Sequence, residues 1–276
     1  MDGISRLRVT FFAVLLWLVP ASLLVACGEP LATPEPVFLR ADGSTSMAPL
    51  VLELAQAYGE QYPLVSLDVH GPGTQYGLDA LRAGEVDLAL ASWLPADLAP
   101  DWRSTAIARD GISVIVHPDN PIDGLGLLQL QDLFGGRVYE WQALGGAPGG
   151  ELVQAVSREE GSGTRSAFEA LVLQDLALTP LAIVAPSSQA MVDYVASHPE
   201  SIGYVSMGHT TPDVKVLKIE GGLPTSQAVG EGSYALTREL WLVVAESPPQ
   251  AVEDFVDFVL GAAGQQIVGR RYGRIK

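Results

Sequence analysis

Cysteine is almost missing from this 276-residue chain: it has one, Cys27, so no internal disulfide can form. Histidine is scarce as well. His70, His117, His198 and His209 are scattered, without metal-ligand spacing and without cysteine partners. Lysine occurs three times, as Lys215, Lys218 and Lys276, and none follows the G-x-x-x-x-G loop that cradles phosphates in NTPases. There is no G-x-S-x-G elbow for a nucleophilic serine, and Gly71-Pro72-Gly73 through Gly77 misses G-x-G-x-x-G by one residue. Enzymatic classes therefore find no support, and neither a cofactor nor a metal is expected. Positive charge is sparse too. Lys and Arg number 16 against 32 Asp and Glu, a net charge of -16 that disfavours nucleic acid and acidic membrane surfaces as partners.

The longest early apolar run, Val9–Val19, is shorter than the roughly 20 residues of a membrane-spanning helix. It follows Arg6 and Arg8 and precedes Leu24-Val25-Ala26-Cys27, the order of a secretory signal: basic start, apolar core, small-residue cleavage site. The Leu-Val-Ala-Cys ending resembles the lipobox of bacterial lipoproteins. That resemblance implies a signal peptide over 1–26, lipidation of Cys27, and anchorage at the outer face of the cell membrane. The proline-rich stretch after it makes 27–36 a tether.

Beyond the tether, 48% hydrophobic residues overall suffice for packed cores, and apolar runs alternate with helical periods, an α/β pattern. Strands are expected at Val37–Arg40, Val65–His70, Val86–Ser92, Gly111–His117, Ile202–Ser206, Val214–Ile219 and Tyr234–Val244. Helices are expected from Pro49 to Tyr62, with a cap among Ser44–Ser46, and over Leu78–Ala83, Leu127–Phe134, Ser187–Ser197, Gln250–Leu260 and Ala263–Arg271.

Three times a strand opens through Gly, Ser and Thr into a helix: at Gly43–Ser46, Gly71–Gly77 and Gly161–Thr164. Such turns present free backbone N–H groups at the positive end of a helix dipole, a place for anions. The third is the richest. In VQAVSREEGSGTRSAF, Arg158 offers a planar fork suited to oxyanions, while Ser162 and Thr164 add hydroxyls. The loop points to a small tetrahedral anion.

The segments GSTSMAPLVLELAQAY, EVDLALAS, GISVIVHPDNP, LQLQDLFGGRVYEW, SREEGSGTRSAFEAL, SIGYVSMG and YALTRELWLVV occur in an order and spacing that resemble the phosphate-binding, lipid-anchored subunit of bacterial phosphate ABC transporters. The resemblance runs from Leu39 to about Tyr272. It implies a two-lobed periplasmic-binding-protein fold of type II, with crossover strands at Gly111–His117 and Tyr234–Val244. Lobe 1 would hold 37–115 plus 228–276, and lobe 2 would hold 116–227. It also implies a monomer that closes around inorganic phosphate and delivers it to a permease.

Carried onto this sequence, the family's phosphate contacts fall on Ser44, Thr45 and Ser46, on Thr74, on Ser92, and on Arg158, Ser162, Gly163 and Thr164. Glu160 takes the place of an acidic residue that steadies the arginine. Two departures stand out. Thr74 replaces a serine in a loop stiffened by Pro72 and crowded by Tyr76. Trp93 follows Ser92 where some members carry an aspartate that accepts phosphate's proton, which leaves Asp42, Asp79 or Glu159 as candidates for that role. Another tetrahedral oxyanion, sulfate or molybdate, or a sensing role for phosphate, are the alternatives.

Overall fold

A computed structural model describes residues 35–145 and 152–275. Cys27, the segment 1–34 and most of the GGAPGG turn lie outside the described residues. The chain runs β1 (Val37–Gly43), α1 (Ala48–Gln61), β2 (Val65–His70), α2 (Thr74–Ala83), β3 (Leu88–Ala91) and the long β4 (Trp102–Val116). It continues through β5 (Gly124–Leu125), α3 (Leu127–Phe134), β6 (Gln154–Arg158), α4 (Gly163–Phe168), β7 (Ile183–Ala185), α5 (Ser188–Ser197) and β8 (Ser201–Ser206). The short β9 (Lys215–Val216) and β10 (Lys218–Ile219), α6 (Ser226–Gly230), β11 (Thr237–Ala245), α7 (Gln250–Leu260) and α8 (Ala262–Val268) complete it. No helix among the described residues is long and apolar enough to cross a membrane.

Nine strands form one sheet in the order β2-β1-β3-β11-β4-β8-β6-β7, with β9 also on β4. β1 pairs in parallel with β2 and β3, while β6 pairs in parallel with β7 and β8. Antiparallel β4 and β11 join these two parallel groups. Residues Trp102–Gly111 of β4 lie against β11, and Ile112–Val116 lie against β8.

Apolar packing follows the same division. One core gathers Leu39, Leu50, Leu54 and Tyr58 with Ile107, Ala108, Leu240, Leu242 and Phe255. A second gathers Ile112, Val114, Leu130, Phe134, Phe168, Tyr204 and Leu236. The core changes between Ala108 and Ile112 on β4 and between Leu236 and Leu240 on β11, whereas the expected lobe boundaries fall at 115/116 and 227/228. Within the second core Phe168 stacks on Tyr204 with ring centroids 3.9 Å apart, and Phe134 meets both edge-on. Each such pair adds about 0.5–1.5 kcal/mol beyond area burial, and together they seat α4 on the sheet.

Several elements differ from expectation for physical reasons. β4 begins nine residues before Gly111, because Trp102–Asp110 is held by β11 rather than by an apolar run of its own. Val214–Ile219 divides into β9 and β10 at Leu217: β9 pairs with β4, whereas β10 leaves for β5. α2 starts at Thr74, four residues early, since Gly73 adopts φ +125° and turns the chain directly into the helix. α1 takes Met47 as its N-cap without any side-chain cap. The expected cap hydroxyls are occupied elsewhere: Ser44 Oγ lies 2.8 Å from both Ser46 Oγ and Ser92 Oγ.

Candidate anion-binding site

The carboxyl ends of β1, β2, β3 and β6 deliver the expected residues to one place, the usual position for ligands on open α/β sheets. Ser44 N–H donates to Leu90 O at 2.8 Å and Gly73 N–H donates to Gly43 O at 2.7 Å, which binds the first two loops to the sheet. Across the junction, Gln75 N–H points at Gly161 O at 3.4 Å. Ser44, Ser46, Thr74, Ser92, Arg158, Ser162, Gly163 and Thr164 are buried there, and Thr45 is half-buried.

Contacts between the loops are direct. Arg158 Nη2 donates to Thr45 Oγ1 at 2.9 Å, joining β6 to the first loop. Thr74 Oγ1 lies 3.3 Å from Ser92 Oγ and accepts Ser92 N–H at the same distance. Gly163 presses against both: a Cβ there would overlap Ser92 Oγ and Thr74 Oγ1, so only glycine lets α4 approach so closely. Ser162 caps α4, accepting Arg165 N–H at 3.4 Å.

Arg158 is fully buried and its fork is engaged on both sides. Nε and Nη2 donate to Glu159 at 2.8 Å each, and Nη1 donates to Ser188 Oγ at 2.9 Å. This corrects the role expected for Glu160. Glu160 is exposed, and the adjacent Glu159 folds back along the fork instead. Of the other carboxylates considered, Asp79 is spent on Gln75 and Arg82 at the surface.

A second buried arginine had no place in the sequence reasoning. Arg238 on β11 faces Asp110 on β4 and donates to its Oδ2 from Nε at 3.0 Å and Nη2 at 2.8 Å. The same guanidinium reaches Ser46 Oγ (3.1 Å), Thr164 Oγ1 (3.0 Å) and Gly163 O (3.0 Å). The available signal was one charge of each sign on two otherwise apolar strands, ARDGISVIV and ALTRELWLVV. Ser188, at the start of α5, was missed as well, hidden in an ordinary-looking helix start.

His209 lies behind the first loop. Burial pushes its imidazole below the ordinary range, and its Nε2 has no hydrogen-bond partner. Burial also raises the Tyr204 phenol to about 12, so it stays protonated beside Ser157 Oγ at 2.7 Å. Among the described residues no group of three or more His, Cys, Asp or Glu could hold a metal ion. The site is a set of hydroxyls, backbone N–H groups and two arginines, each arginine matched by its own carboxylate. Chemically it can hold an oxyanion, because hydrogen-bond donors converge on it from several elements.

Comparison with known proteins agrees with that chemistry. The model of the PBP superfamily domain matches residues 30–263. A crystal structure from Clostridium perfringens, of a protein classed as a phosphate ABC transporter substrate-binding protein with bound phosphate, is 30% identical. It superposes with a TM-score of 0.82 over 87% of this chain and 100% of its own. An ABC-type phosphate transport receptor from Vibrio cholerae is 27% identical, with a TM-score of 0.72 over 85% of this chain and 99% of that one. The phosphate-binding protein PstS of Pseudomonas aeruginosa is 29% identical over 255 residues, which is 82% of this chain and 79% of that protein. The two groups of parallel strands joined by β4 and β11 are the two-lobed architecture of these relatives, and the chain belongs to the PBP superfamily, within its family of PstS-type phosphate-binding proteins.

Proposed function

We propose that this protein is an extracytoplasmic receptor that captures inorganic phosphate between two lobes and delivers it to an ABC permease. The observation that carries the proposal is the meeting of Arg158 with Thr45 at 2.9 Å, which brings the fork of one core's loop onto the donor loop of the other. Ser44, Thr45, Ser46, Thr74 and Ser92 would contact the anion from one side. Arg158, Ser162, Gly163 and Thr164 would contact it from the other. The lobes would part where the apolar core changes, on β4 and β11. An anion that touches both favours the closed arrangement by supplying contacts that span the cleft. The protein would act without catalysis, as a monomer, held at the outer face of the membrane by lipid on Cys27. Replacing Cys27 by serine would then release it from the membrane fraction.

Titration calorimetry with phosphate tests the proposal. The unsubstituted protein should bind, and Arg158→Ala should bind at least tenfold more weakly, since removing one partner of a buried charge pair costs about 2–5 kcal/mol. Equal affinity for the two proteins would reject the assignment of Arg158. Sulfate is the second anion to titrate, for a specific reason: Glu159 is committed to Arg158 and Asp110 to Arg238. A carboxylate left open to accept a proton from phosphate would reject sulfate, because a buried unpaired acceptor is costly. Sulfate binding as tight as phosphate would move the proposed ligand to tetrahedral oxyanions in general.

A further inference from the structure

Arg238 sits where neither core reaches, in the gap between Leu236 and Leu240, opposite Asp110 in the corresponding gap of β4. Asp110 is fully buried and Arg238 is 8% exposed. Both carboxylate oxygens are filled: Oδ2 accepts Arg238 Nε and Nη2, and Oδ1 accepts the Ser206 hydroxyl at 2.8 Å and Met207 N–H at 3.2 Å. The pair therefore adds no net charge to the site. What it adds is direction.

A guanidinium has donors only. Nη2 has two protons: one goes to Asp110 Oδ2 and the other is shared between Ser46 Oγ and Thr164 Oγ1, which can only accept from it, so their own protons must point elsewhere. From Ser46 a line of hydroxyls runs to Ser44 (2.8 Å), to Ser92 (2.8 Å) and to Thr74 (3.3 Å). In such a chain each bond polarises the next, so donation runs away from the arginine. The line ends at Thr74 Oγ1, which also accepts Ser92 N–H. The hydroxyl protons of Thr74 and Thr164, on the two sides of Gly163, are then left over to donate.

We propose that Arg238, held by Asp110, is a positioning residue: it sets the direction of the hydroxyl line from Ser46 through Ser44 and Ser92 to Thr74, so that the protons of Thr74 and Thr164 are the ones left to donate to the bound anion. Serine and threonine hydroxyls can donate or accept, and an anion rewards only donation. Fixing one end of the line decides which protons stay free before the ligand arrives, which removes an ordering cost from binding. Arg238 also spans both groups of loops, Ser46 on one side and Gly163 with Thr164 on the other, so the donor set is complete only when the two are together. This inference rests on the phosphate proposal for the same site.

The test is a double-mutant cycle on the full chain, read by phosphate calorimetry and thermal melting. Arg238→Met combined with Asp110→Asn removes the pair without stranding a buried charge. It should weaken phosphate binding at least tenfold while melting remains cooperative. Ser46→Ala should weaken binding at least fivefold in the parent and less than twofold in the paired variant, because the orientation it depended on is already gone. A pair that served only to hold the fold would leave the cost of Ser46→Ala the same in both backgrounds, and that result overturns the inference. So does a paired variant that binds within twofold of the parent. If the paired variant does not fold, Arg238→Lys, which keeps the charge beside Asp110 but loses the planar fork, takes its place with the same two criteria. Failure of the unsubstituted protein to bind phosphate at all overturns the phosphate proposal and the inference together. Loss of the non-additivity alone overturns only the inference.

Discussion

The site contains two buried arginines, each paired with a carboxylate, that differ in where the carboxylate comes from and in how it is held. Arg158 lays its fork along both oxygens of a carboxylate, whereas Arg238 puts two donors on a single one, and each reaches a hydroxyl of the first loop, Thr45 for one and Ser46 for the other. Arg158 takes its carboxylate from the next residue, Glu159, whose side chain remains 28% exposed. Arg238 takes its own from Asp110, 128 residues away and fully buried. The first pair is thus local and partly wet, and the second is long-range and dry. A local pair can rearrange with its loop when an anion arrives. A dry pair between neighbouring strands cannot, and it serves as the fixed frame against which the loops are ordered.

That contrast can be broken by substitution, and the largest effect belongs to the dry pair. Arg238→Met alone leaves Asp110 charged and unpaired in the interior, which should destabilise the fold by about 3–5 kcal/mol. Urea denaturation measures it. Arg158→Met should cost clearly less, since Glu159 can turn toward water. Equal losses would mean that the two pairs are energetically alike after all.

A smaller effect separates the two adjacent glutamates. Glu159→Gln weakens a charge-assisted fork and should cost about 1 kcal/mol of stability, whereas Glu160→Gln, at an exposed position, should stay within about 0.5 kcal/mol. The reverse order would restore Glu160 as the partner of Arg158.

The smallest effect is a pH dependence. Because burial lowers the His209 imidazole in the folded protein, its contribution to stability is present above the unfolded value of about 6.5 and is lost as the pH falls toward the folded value. Melting temperatures from pH 7.5 down to 5.5 should therefore decline more in the parent than in His209→Gln. Parallel curves would remove His209 from the acid response.

These contrasts also mark how far the sequence could be read. The loop donors were legible because their chemistry is local: small residues between a strand and a helix, with an arginine at the strand end. Strand β2 and helices α3 and α7 were readable to the residue, since each carries its own period and its own punctuation. The first half of β4 was not, because a polar stretch such as WRSTAIARD becomes a strand only where β11 supplies the other half of the ladder. Glu159 and Glu160 are equivalent in the string of letters, and only the turn of the chain after Arg158 decides which of them meets the guanidinium.

Composition, the three strand-to-helix loops and the spacing of the motifs were enough, by themselves, to determine an α/β chain whose chemistry is that of an anion site, because each of those features depends on residues within a few positions of one another. Only the folded chain could bring Asp110 to Arg238, divide the core at β4 and β11, and run a line of hydroxyls from Ser46 to Thr74. Such contacts join residues far apart in the chain; Arg238 and Ser46 are separated by 192 positions. Their partners are chosen by strand register and by closeness across the sheet, and no local pattern of sequence encodes either.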